Sequence, residues 1–261
     1  MADDVIFLGT RGTISVDNEH SKVYGGTTSC VLARIGGQTI LLDAGTGILA
    51  GEEYLTKGAF SILLTHPHFD HFSGLPAFSP MFKPETHADI YGKDRNEQTV
   101  REQLCQFMAP PLWPVTPDAF SPNVRFLPVT ERFFIGEVEV LTSESNHPGG
   151  TTHYRLNANG KSIVYAMDFE HNDKYSAQLA EFAADCDLLV YDAQYSDEEY
   201  ERHRGWGHST WNEGIKMAKQ CNAKRLVLTH HAPSRSDSEL SAVQLNCDIA
   251  SFAKIGERIV L

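Results

Sequence analysis

The stretch that decides the fold reads Thr65-His66-Pro67-His68-Phe69-Asp70-His71. It directly follows the apolar run Ile62–Leu64, which predicts a buried strand, so the histidines are expected at a strand's C-terminal end, where active-site loops commonly lie. Three imidazoles and one carboxylate supply nitrogen and oxygen donors that suit zinc and related ions. Ordinary packing does not explain so dense a cluster, because buried polar groups need partners. The stretch therefore predicts a metal site.

More than one ion is expected from the spacing within this stretch. His66 and His68 are alternate residues and can point at one ion, whereas Asp70 and His71 start the next turn and can reach a second. Two ions need further ligands, and three candidates follow later predicted strands: His147, Asp168 and His230. Each alone is equally well a turn or cap residue, but together they complete a ligand set.

Length and composition predict a single domain, 1–261, and hydrophobic periodicity predicts that it mixes strands and helices. Predicted strands are Val5–Leu8, Val31–Ile35, Thr39–Leu42, Ile62–Leu64, Asp89–Tyr91, Val124–Leu127, Val138–Thr142, His153–Leu156, Ile163–Ala166, Leu188–Tyr191, Leu226–Leu228 and Arg258–Leu261. Predicted helices are Asn96–Met108, Tyr175–Ala184, Thr210–Cys221 and Ser238–Ala253. The first half opens as a β-meander, and the two groups of strands with their helices predict two sheets face to face with helices outside.

Composition narrows the functional class. The 261 residues contain 22 Lys and Arg against 34 Asp and Glu, a formal charge of −12, which disfavours long nucleic acid as a substrate. The five cysteines are scattered and form no CxxC pair, as expected in a reducing compartment. The acidic start Met1–Asp4 differs from a signal peptide, and no apolar run approaches the roughly 20 residues of a membrane helix. A cytoplasmic protein without a membrane partner is expected.

The pattern His-x-His-x-Asp-His, followed by a single His, a single Asp and a last His, resembles the metallo-β-lactamase superfamily, over nearly the whole chain. The resemblance implies an α/β fold, the four-layer αβ/βα sandwich, with two metal ions at one edge. It assigns His66, His68 and His147 to the first ion, Asp70, His71 and His230 to the second, and Asp168 to a bridge between them. Asp43, in the stretch Asp43-Ala44-Gly45-Thr46-Gly47, is implied to be structural. Because true β-lactamases typically carry Cys where Asp168 stands, antibiotic hydrolysis is not expected.

Two ions about 3.5–4 Å apart can hold a bridging hydroxide for in-line attack on a phosphodiester, and the leaving alkoxide then needs a proton donor. Three stretches resemble ribonuclease Z-like phosphodiesterases: Tyr191-Asp192-Ala193-Gln194, His208-Ser209-Thr210 and Leu228-Thr229-His230. The resemblance implies that His208 protonates the leaving group and that Asp192, one methylene shorter than the family's Glu, orients it. Asp70 is expected to be a catalytic residue as well. The plain alternative for His208 is a residue at a helix start.

Processing of transfer RNA precursors by that family uses a basic, glycine-rich arm, and no lysine-rich insertion lies between Tyr165 and His208. The opening stretches Phe7–Thr13 and Tyr24–Cys30 resemble arm-less bacterial and phage relatives, some of which hydrolyse cyclic nucleotides. We therefore expect a dinuclear phosphodiesterase for cyclic nucleotides or other small phosphodiesters, with two Zn²⁺ per chain, or Mn²⁺ or Fe²⁺ in their place. A homodimer is also compatible with the resemblance.

Three other functions stay open at this point: a ribonuclease Z-like RNA endonuclease, a glyoxalase II-type thioester hydrolase, and a metal-containing signal-binding protein without catalysis. Substrate choice is expected to depend on the loops 24–29 and 106–120, the second of which carries four prolines between Pro110 and Pro117. Phe107, Met108 and Trp113 there either roof a pocket or pack under the loop. His231 is expected to face away from the ions if the strand before it continues.

Overall fold

The strands form two seven-stranded sheets in the computed structural model, which describes residues 3–55 and 59–261. Met1 and Ala2 of the acidic start lie outside these residues. The first sheet contains β1 (Asp4–Gly9), β2 (Cys30–Ile35), β3 (Gln38–Leu42), β4 (Ala59–Leu63), β5 (His87–Gly92), β6 (Val124–Pro128) and β14 (Arg258–Val260). The second contains β7 (Arg132–Ile135), β8 (Val138–Ser145), β9 (Thr151–Ala158), β10 (Lys161–Ala166), β11 (Leu188–Asp192), β12 (Leu226–Thr229) and β13 (Ala250–Phe252).

The helices are short and lie between the strands. They are α1 (Phe69–Phe72), α2 (Val100–Phe107), α3 (Asp173–Phe182), α4 (Asp197–His203), α5 (Trp211–Gln220) and α6 (Asp237–Ala242), with 3₁₀ turns at Thr46–Tyr54, Leu75–Ala77, Ser79–Phe82 and Pro117–Ala119. Among the described residues, every helix is too short or too polar to cross a bilayer.

Each sheet is half antiparallel and half parallel. The order of the first is β14-β1-β2-β3-β4-β5-β6, antiparallel up to β3 and parallel from β3 to β6. The second, β13-β12-β11-β10-β9-β8-β7, repeats this arrangement, parallel from β13 to β10 and antiparallel from there to β7. The predicted β-meander therefore holds for β1–β3 only. The later strands of the first sheet are parallel because crossover segments such as 46–54 and α2 return the chain to the same edge.

Three apolar clusters confirm the predicted sandwich. The central cluster joins Phe7 and Leu42 of the first sheet to Leu156 and Val190 of the second, and all four are fully buried. A second cluster places α2 on the outer face of the first sheet, and a third places α3 and α5 on the outer face of the second. The order of layers is thus helix, sheet, sheet, helix, because each sheet buries both faces.

The predicted helix Ser238–Ala253 is wrong beyond its first turns. Helix α6 is capped by Ser236, which exchanges hydrogen bonds with Glu239, and it ends at Ala242. Residues 250–252 instead form β13, which pairs in parallel with β12. The apolar residues Ala250 and Phe252 alternate as a strand does, and Phe252 is buried against Tyr24. Pairing with β12 overrides the helical spacing.

The other predicted elements are present with shifted ends. All twelve predicted strands overlap an observed one, whereas β7, β13, α1 and α4 were not predicted. The helix predicted from Asn96 begins only at Val100, because Thr99 and Glu102 form a capping box there. Asn96 and Glu97 belong to a tight turn before it, with positive φ angles of 50° and 61°.

Candidate metal centre

The His-Asp stretch leaves β4 and turns at once into α1. His66 lies outside any helix or strand, and His68, in extended backbone, occupies the position before the first helical residue. Asp70 and His71 are inside α1 and buried. This change from extended chain to helix separates the two pairs of side chains, as the spacing predicted.

Side chains from four segments meet at the C-terminal ends of the strands. One group of candidate metal ligands contains His66, His68, His147 and Asp168, and another contains Asp70, His71 and His230; the ligand atoms within each group lie within 4.8 Å of one another. These are the seven residues that the sequence pointed to, in the predicted partition. Their coordination of ions is a proposal, taken up below.

Asp168 lies between the two groups. Its Oδ2 is 3.5 Å from the Nε2 atoms of both His66 and His147. Its Oδ1 is 3.1 Å from His71 Nε2 and 3.3 Å from His230 Nε2. One carboxylate thus turns an oxygen toward each group, which is the arrangement that a bridging ligand requires.

Three buried atoms of the candidate ligands have no hydrogen-bond partner among the described residues: His66 Nε2, Asp168 Oδ1 and His230 Nδ1. A buried, unpartnered polar atom costs about 1–3 kcal/mol, so a structure rarely tolerates several in one cluster. Imidazole nitrogens and carboxylate oxygens are donors that zinc, manganese and iron accept. The residues present therefore fit divalent metal ions.

The electrostatics favour cations at this place. Burial would raise the pKa of Asp168, but the charges of His230, His71 and His66 lower it well below its usual range. Burial would also lower the pKa of His230, but Asp168 and the hydrogen bond to Asp70 raise it to about 9. Burial lowers the pKa of His66 well below its usual range. The carboxylate stays anionic and His66 stays neutral, as metal ligands must, whereas His230 without an ion holds a proton that a bound cation would displace.

Asp43 fixes one ligand from behind. It is fully buried at the end of β3 and accepts hydrogen bonds from His71 Nδ1 (2.7 Å), the Thr65 backbone N–H (2.8 Å) and the Tyr165 hydroxyl (3.0 Å). The bond to Nδ1 leaves Nε2 of His71 as the nitrogen that faces Asp168. Asp43 lies outside the groups of candidate ligands, in keeping with its expected structural role.

His208 and Asp192 lie beside the centre. Asp192 Oδ2 accepts a hydrogen bond of 2.8 Å from His208 Nδ1, so the shorter carboxylate still reaches the imidazole. Asp192 is fully buried, at the end of β11, and its other bonds come from the backbone N–H groups of Phe169 and Gln194. With Asp168 and His230, this pair forms a third group of close ligand atoms. The direct bond between them favours an oriented imidazole over two further metal ligands.

Glu170 and the backbone of Thr13 also support the site, and no sequence motif pointed to either. Glu170 accepts hydrogen bonds from the backbone N–H groups of Gly205 (2.7 Å) and Gly207 (2.9 Å). The Gly207 carbonyl in turn accepts the Nδ1–H of His147 at 2.8 Å. The Thr13 N–H donates to Asp70 Oδ2 at 2.6 Å. These bonds join residues far apart in the sequence, so no local residue pattern marks them.

The remaining histidines lie away from the centre. His231 is buried, donates from Nε2 to the Ala253 carbonyl at 3.0 Å and packs against Tyr24. The strand ends at Thr229, so it is the left-handed turn at His230, with φ of 63°, that separates the two neighbouring histidines. His153 is also buried, against Phe169.

A pocket of about 390 Å³ opens beside His66 and His68. From the proline-rich segment, Leu112 lines it, together with Phe107 from the end of α2. Met108 is fully buried in the outer apolar cluster, and Trp113 packs on the same cluster. The segment therefore both lines a pocket and packs on the apolar cluster, but Leu112 rather than Trp113 lies at the pocket.

The chain belongs to the β-lactamase superfamily, since the family model described as "Beta-lactamase superfamily domain" matches residues 38–231, and it is a metal-dependent hydrolase. Its relatives include the ribonuclease Z of Bradyrhizobium sp. (strain ORS 278), 26% identical over 92% of this chain and 93% of that protein. The ribonuclease Z of Pyrococcus horikoshii is 25% identical over 99% and 96%. A solved structure with the same fold is the metallo-β-lactamase fold protein YhfI from Bacillus subtilis, at a TM-score of 0.77 and 19% identity over 98% of both chains.

Proposed function

We propose that this chain is a dinuclear metal-dependent phosphodiesterase acting on cyclic nucleotides or other small phosphodiesters. The observation that carries the proposal is the position of Asp168, with one oxygen turned to each of two groups of ligands. His66, His68 and His147 hold the first ion and Asp70, His71 and His230 the second. Bound there, two zinc ions supply a water of lowered pKa and neutralise charge on a phosphoryl group. Manganese and iron suit the same donors.

The residues around the ions supply the other requirement, a proton for the leaving oxygen. With Nδ1 bonded to Asp192, His208 has Nε2 as its other ring nitrogen. An imidazole so oriented donates a proton from Nε2, and Asp192 stabilises the charged form before the transfer. A thioester hydrolase has a thiolate leaving group and little need of this pair, so the bond between His208 and Asp192 favours the phosphodiesterase.

Two features bear on the size of the substrate: the net charge of the chain and the segment between Tyr165 and His208. That segment is occupied by α3, β11 and α4, and it carries no lysine-rich run. A net charge of −12 repels a long polyanion except next to the ions. Both features favour a small substrate.

A second candidate is an RNA endonuclease like ribonuclease Z. The names of the two relatives, aligned over more than nine-tenths of both chains, support it. It uses the same ions and the same proton donor, so only the substrate distinguishes the two proposals.

The test is a side-by-side assay of the zinc-loaded chain. A panel of 3′,5′-cyclic nucleotides, bis(p-nitrophenyl) phosphate, a transfer RNA precursor and S-lactoylglutathione are compared after metal analysis shows about two ions per chain. We expect turnover of the small diesters, and a loss of about 10²–10⁴-fold on the cyclic nucleotides in His208→Ala. His20→Ala, an exposed histidine, serves as the control. Turnover of the thioester alone, equal in His208→Ala and the parent, would overturn the proposal, and cleavage of the RNA alone would establish the second candidate.

A further inference from the structure

The pocket beside His66 and His68 is where the non-reacting part of a substrate must lie if its phosphate is held by the ions. It extends from these two side chains to the turn at Asn96 and to Gln106 near the end of α2. At about 390 Å³ it suits a group the size of a nucleoside and is too small for a folded RNA. Its lining therefore indicates the substrate class, provided that the proposed function is correct.

The lining is not acidic, in a chain that is strongly acidic overall. Among the described residues that line the pocket there is no Asp or Glu, and the one Arg is Arg95. The side chain of Arg95 is held by a bond of 2.9 Å to Thr152 Oγ1 and by a 3.5 Å contact with Glu144. Nε of Arg95 has no partner among the described residues. An anionic diester thus meets a neutral to positive wall.

An exposed aromatic ring stands between two of the proposed metal ligands. Phe69 follows His68 and precedes Asp70, and half of its surface is accessible (50%). Phe107 supports it edge-on, with the ring centroids 5.2 Å apart. A phenylalanine so exposed at a site mouth offers a flat apolar face, which bases stack on regardless of their identity.

Carboxamides form the far end of the pocket. Gln98, Gln103 and Gln106 line it, and Gln106 Nε2 donates to Gln98 Oε1. This bond uses the carbonyl oxygen of Gln98 and the amide N–H of Gln106, so the amide N–H groups of Gln98 and the carbonyl oxygen of Gln106 are left for a ligand. A donor and an acceptor side by side match the edge of a nucleobase, which also carries both.

The turn that carries this end is strained. Arg95 and Gln98 exchange backbone hydrogen bonds of 3.0 and 2.9 Å around Asn96 and Glu97. Both central residues have positive φ angles and neither is glycine. Strained turns of this kind persist where the surrounding structure fixes them, often at ligand sites.

We propose that this pocket is a base-binding subsite: it takes the nucleobase of a mononucleotide phosphodiester, Phe69 stacks on the base, and Gln98 and Gln106 bond to its edge. The scissile phosphate then lies over His66 and His68. A simple alkyl diester leaves the pocket empty.

Two p-nitrophenyl esters that share a leaving group test the proposal on the zinc-loaded chain. One is the p-nitrophenyl ester of thymidine 5′-monophosphate, and the other is methyl p-nitrophenyl phosphate, in which a methyl group replaces the nucleoside. The measured quantity is the ratio of their kcat/KM values. We expect the nucleoside to raise kcat/KM, and Phe69→Ala to reduce the ratio by about 5- to 100-fold, the range that one stacked base is worth. Phe69→Tyr should restore most of it.

A matched control is Phe134→Ala, an exposed phenylalanine in the second sheet that lines no part of this pocket; its ratio should equal that of the parent. Equal kcat/KM values for the two esters in the parent would overturn the base subsite while leaving the phosphodiesterase standing. A high ratio that survives Phe69→Ala unchanged would overturn the role of Phe69. No turnover of either ester, with turnover of a thioester, would instead mean that the proposed function has failed.

Discussion

Asp168 holds left-handed backbone, with φ of 50°, and so do His230 at 63° and Asp43 at 61°. Residues with a Cβ adopt this conformation rarely, at a cost of about 1–3 kcal/mol each. Asp43 and His230 directly follow strand ends, Asp168 comes two residues after one, and all three are buried. The turn after each strand aims the side chain across the sheet edge, and strain at three neighbouring positions is typical of a site shaped by function.

Asp168→Asn tests the bridging role at the residue scale. Asparagine keeps the shape and tolerates left-handed backbone, but it lacks the charge that two cations share. We expect zinc content to fall from about two ions per chain to at most one. Zinc at 100 times its dissociation constant stabilises a fold by about 2.7 kcal/mol, and most of the corresponding rise in Tm should disappear. An unchanged zinc content and Tm rise in the variant would contradict the bridge.

Asp192→Asn tests the orientation of His208. An amide in place of the carboxylate no longer stabilises the protonated imidazole, so kcat should fall by up to about 10²–10⁴-fold with little change in KM. The loss should be greater for a cyclic nucleotide than for p-nitrophenyl esters, because p-nitrophenolate leaves without a proton. Equal losses on both kinds of substrate would show that Asp192 serves structure alone.

At the scale of elements, the loop Gly205–Gly207 connects the metal centre to the proton donor. Glu170 holds the backbone of both glycines, Gly207 holds His147, and His208 is the next residue. Gly207 has φ of 88°, and a Cβ there would come within 2.1 Å of the His147 ring. One loop thus sets the position of a ligand and of an acid at the same time.

Glu170→Gln should disturb the positions of both His147 and His208. An amide accepts from only one oxygen, so one loop bond is lost, and we expect zinc affinity at the first ion to weaken by about 10- to 100-fold, as for other partners behind metal ligands. Titration calorimetry of the metal-free chain measures this without any assay of turnover. The matched control is Glu201→Gln on α4, which pairs only with Arg204 at the surface. Equal zinc affinities in the two variants would contradict the role of the loop.

At the scale of the whole molecule, Asp4 joins strands from both ends of the chain. It is buried in β1, accepts from Arg34 Nε of β2 at 2.7 Å and from Arg258 of β14. Burial would raise the pKa of Asp4, but the hydrogen bonds and charges of Arg34 and Arg258 lower it. An ion pair between residues far apart in sequence thus holds the edge strand β14 against β1.

The sign of the pH effect follows from that lowered pKa. Because the folded chain binds the Asp4 proton less tightly than the unfolded one, the stabilisation is present above about pH 4, the unfolded value, and is lost as the pH falls below it. Asp4→Asn should lower the free energy of unfolding at pH 7 by about 1–3 kcal/mol. Urea melts in chelator, which remove the contribution of metal, should show a smaller loss for the variant than for the parent between pH 5 and pH 3. Parallel curves would refute the assignment.

The hydrophobic pattern of the sequence predicted most of the strands, because the buried strands are continuous apolar runs such as Ile62–Leu64. What the periodicity missed depends on tertiary pairing. Residues 250–252 have helical spacing upstream and become β13 only because β12 offers an open edge. Strand β7 has just four residues, and its apolar Phe134 is exposed, so its sequence shows no clear alternation of apolar and polar residues.

The candidate site was predictable where its residues are chemically conspicuous. Histidines and aspartates at strand ends stand out, and the structure gathers them. Whether Asp192 reaches His208 depended on the position of β11 relative to α5, which no local pattern gives. Glu170, Arg95 and the Gln98–Gln106 pair are ordinary polar residues in sequence, and only the folded chain places them at the site.

The hydrogen bond from the Tyr165 hydroxyl to Asp43 joins β10 of the second sheet to the end of β3 in the first, and Tyr154 of β9 similarly donates to the Leu64 carbonyl at 2.6 Å. The ligands themselves come from both sheets. Opening either sheet locally would therefore break coordination, so bound ions must penalise the partial unfolding of both. Amide hydrogen exchange should slow together in β3 and β10 when zinc is added, although these strands belong to opposite sheets and are more than 100 residues apart in the sequence.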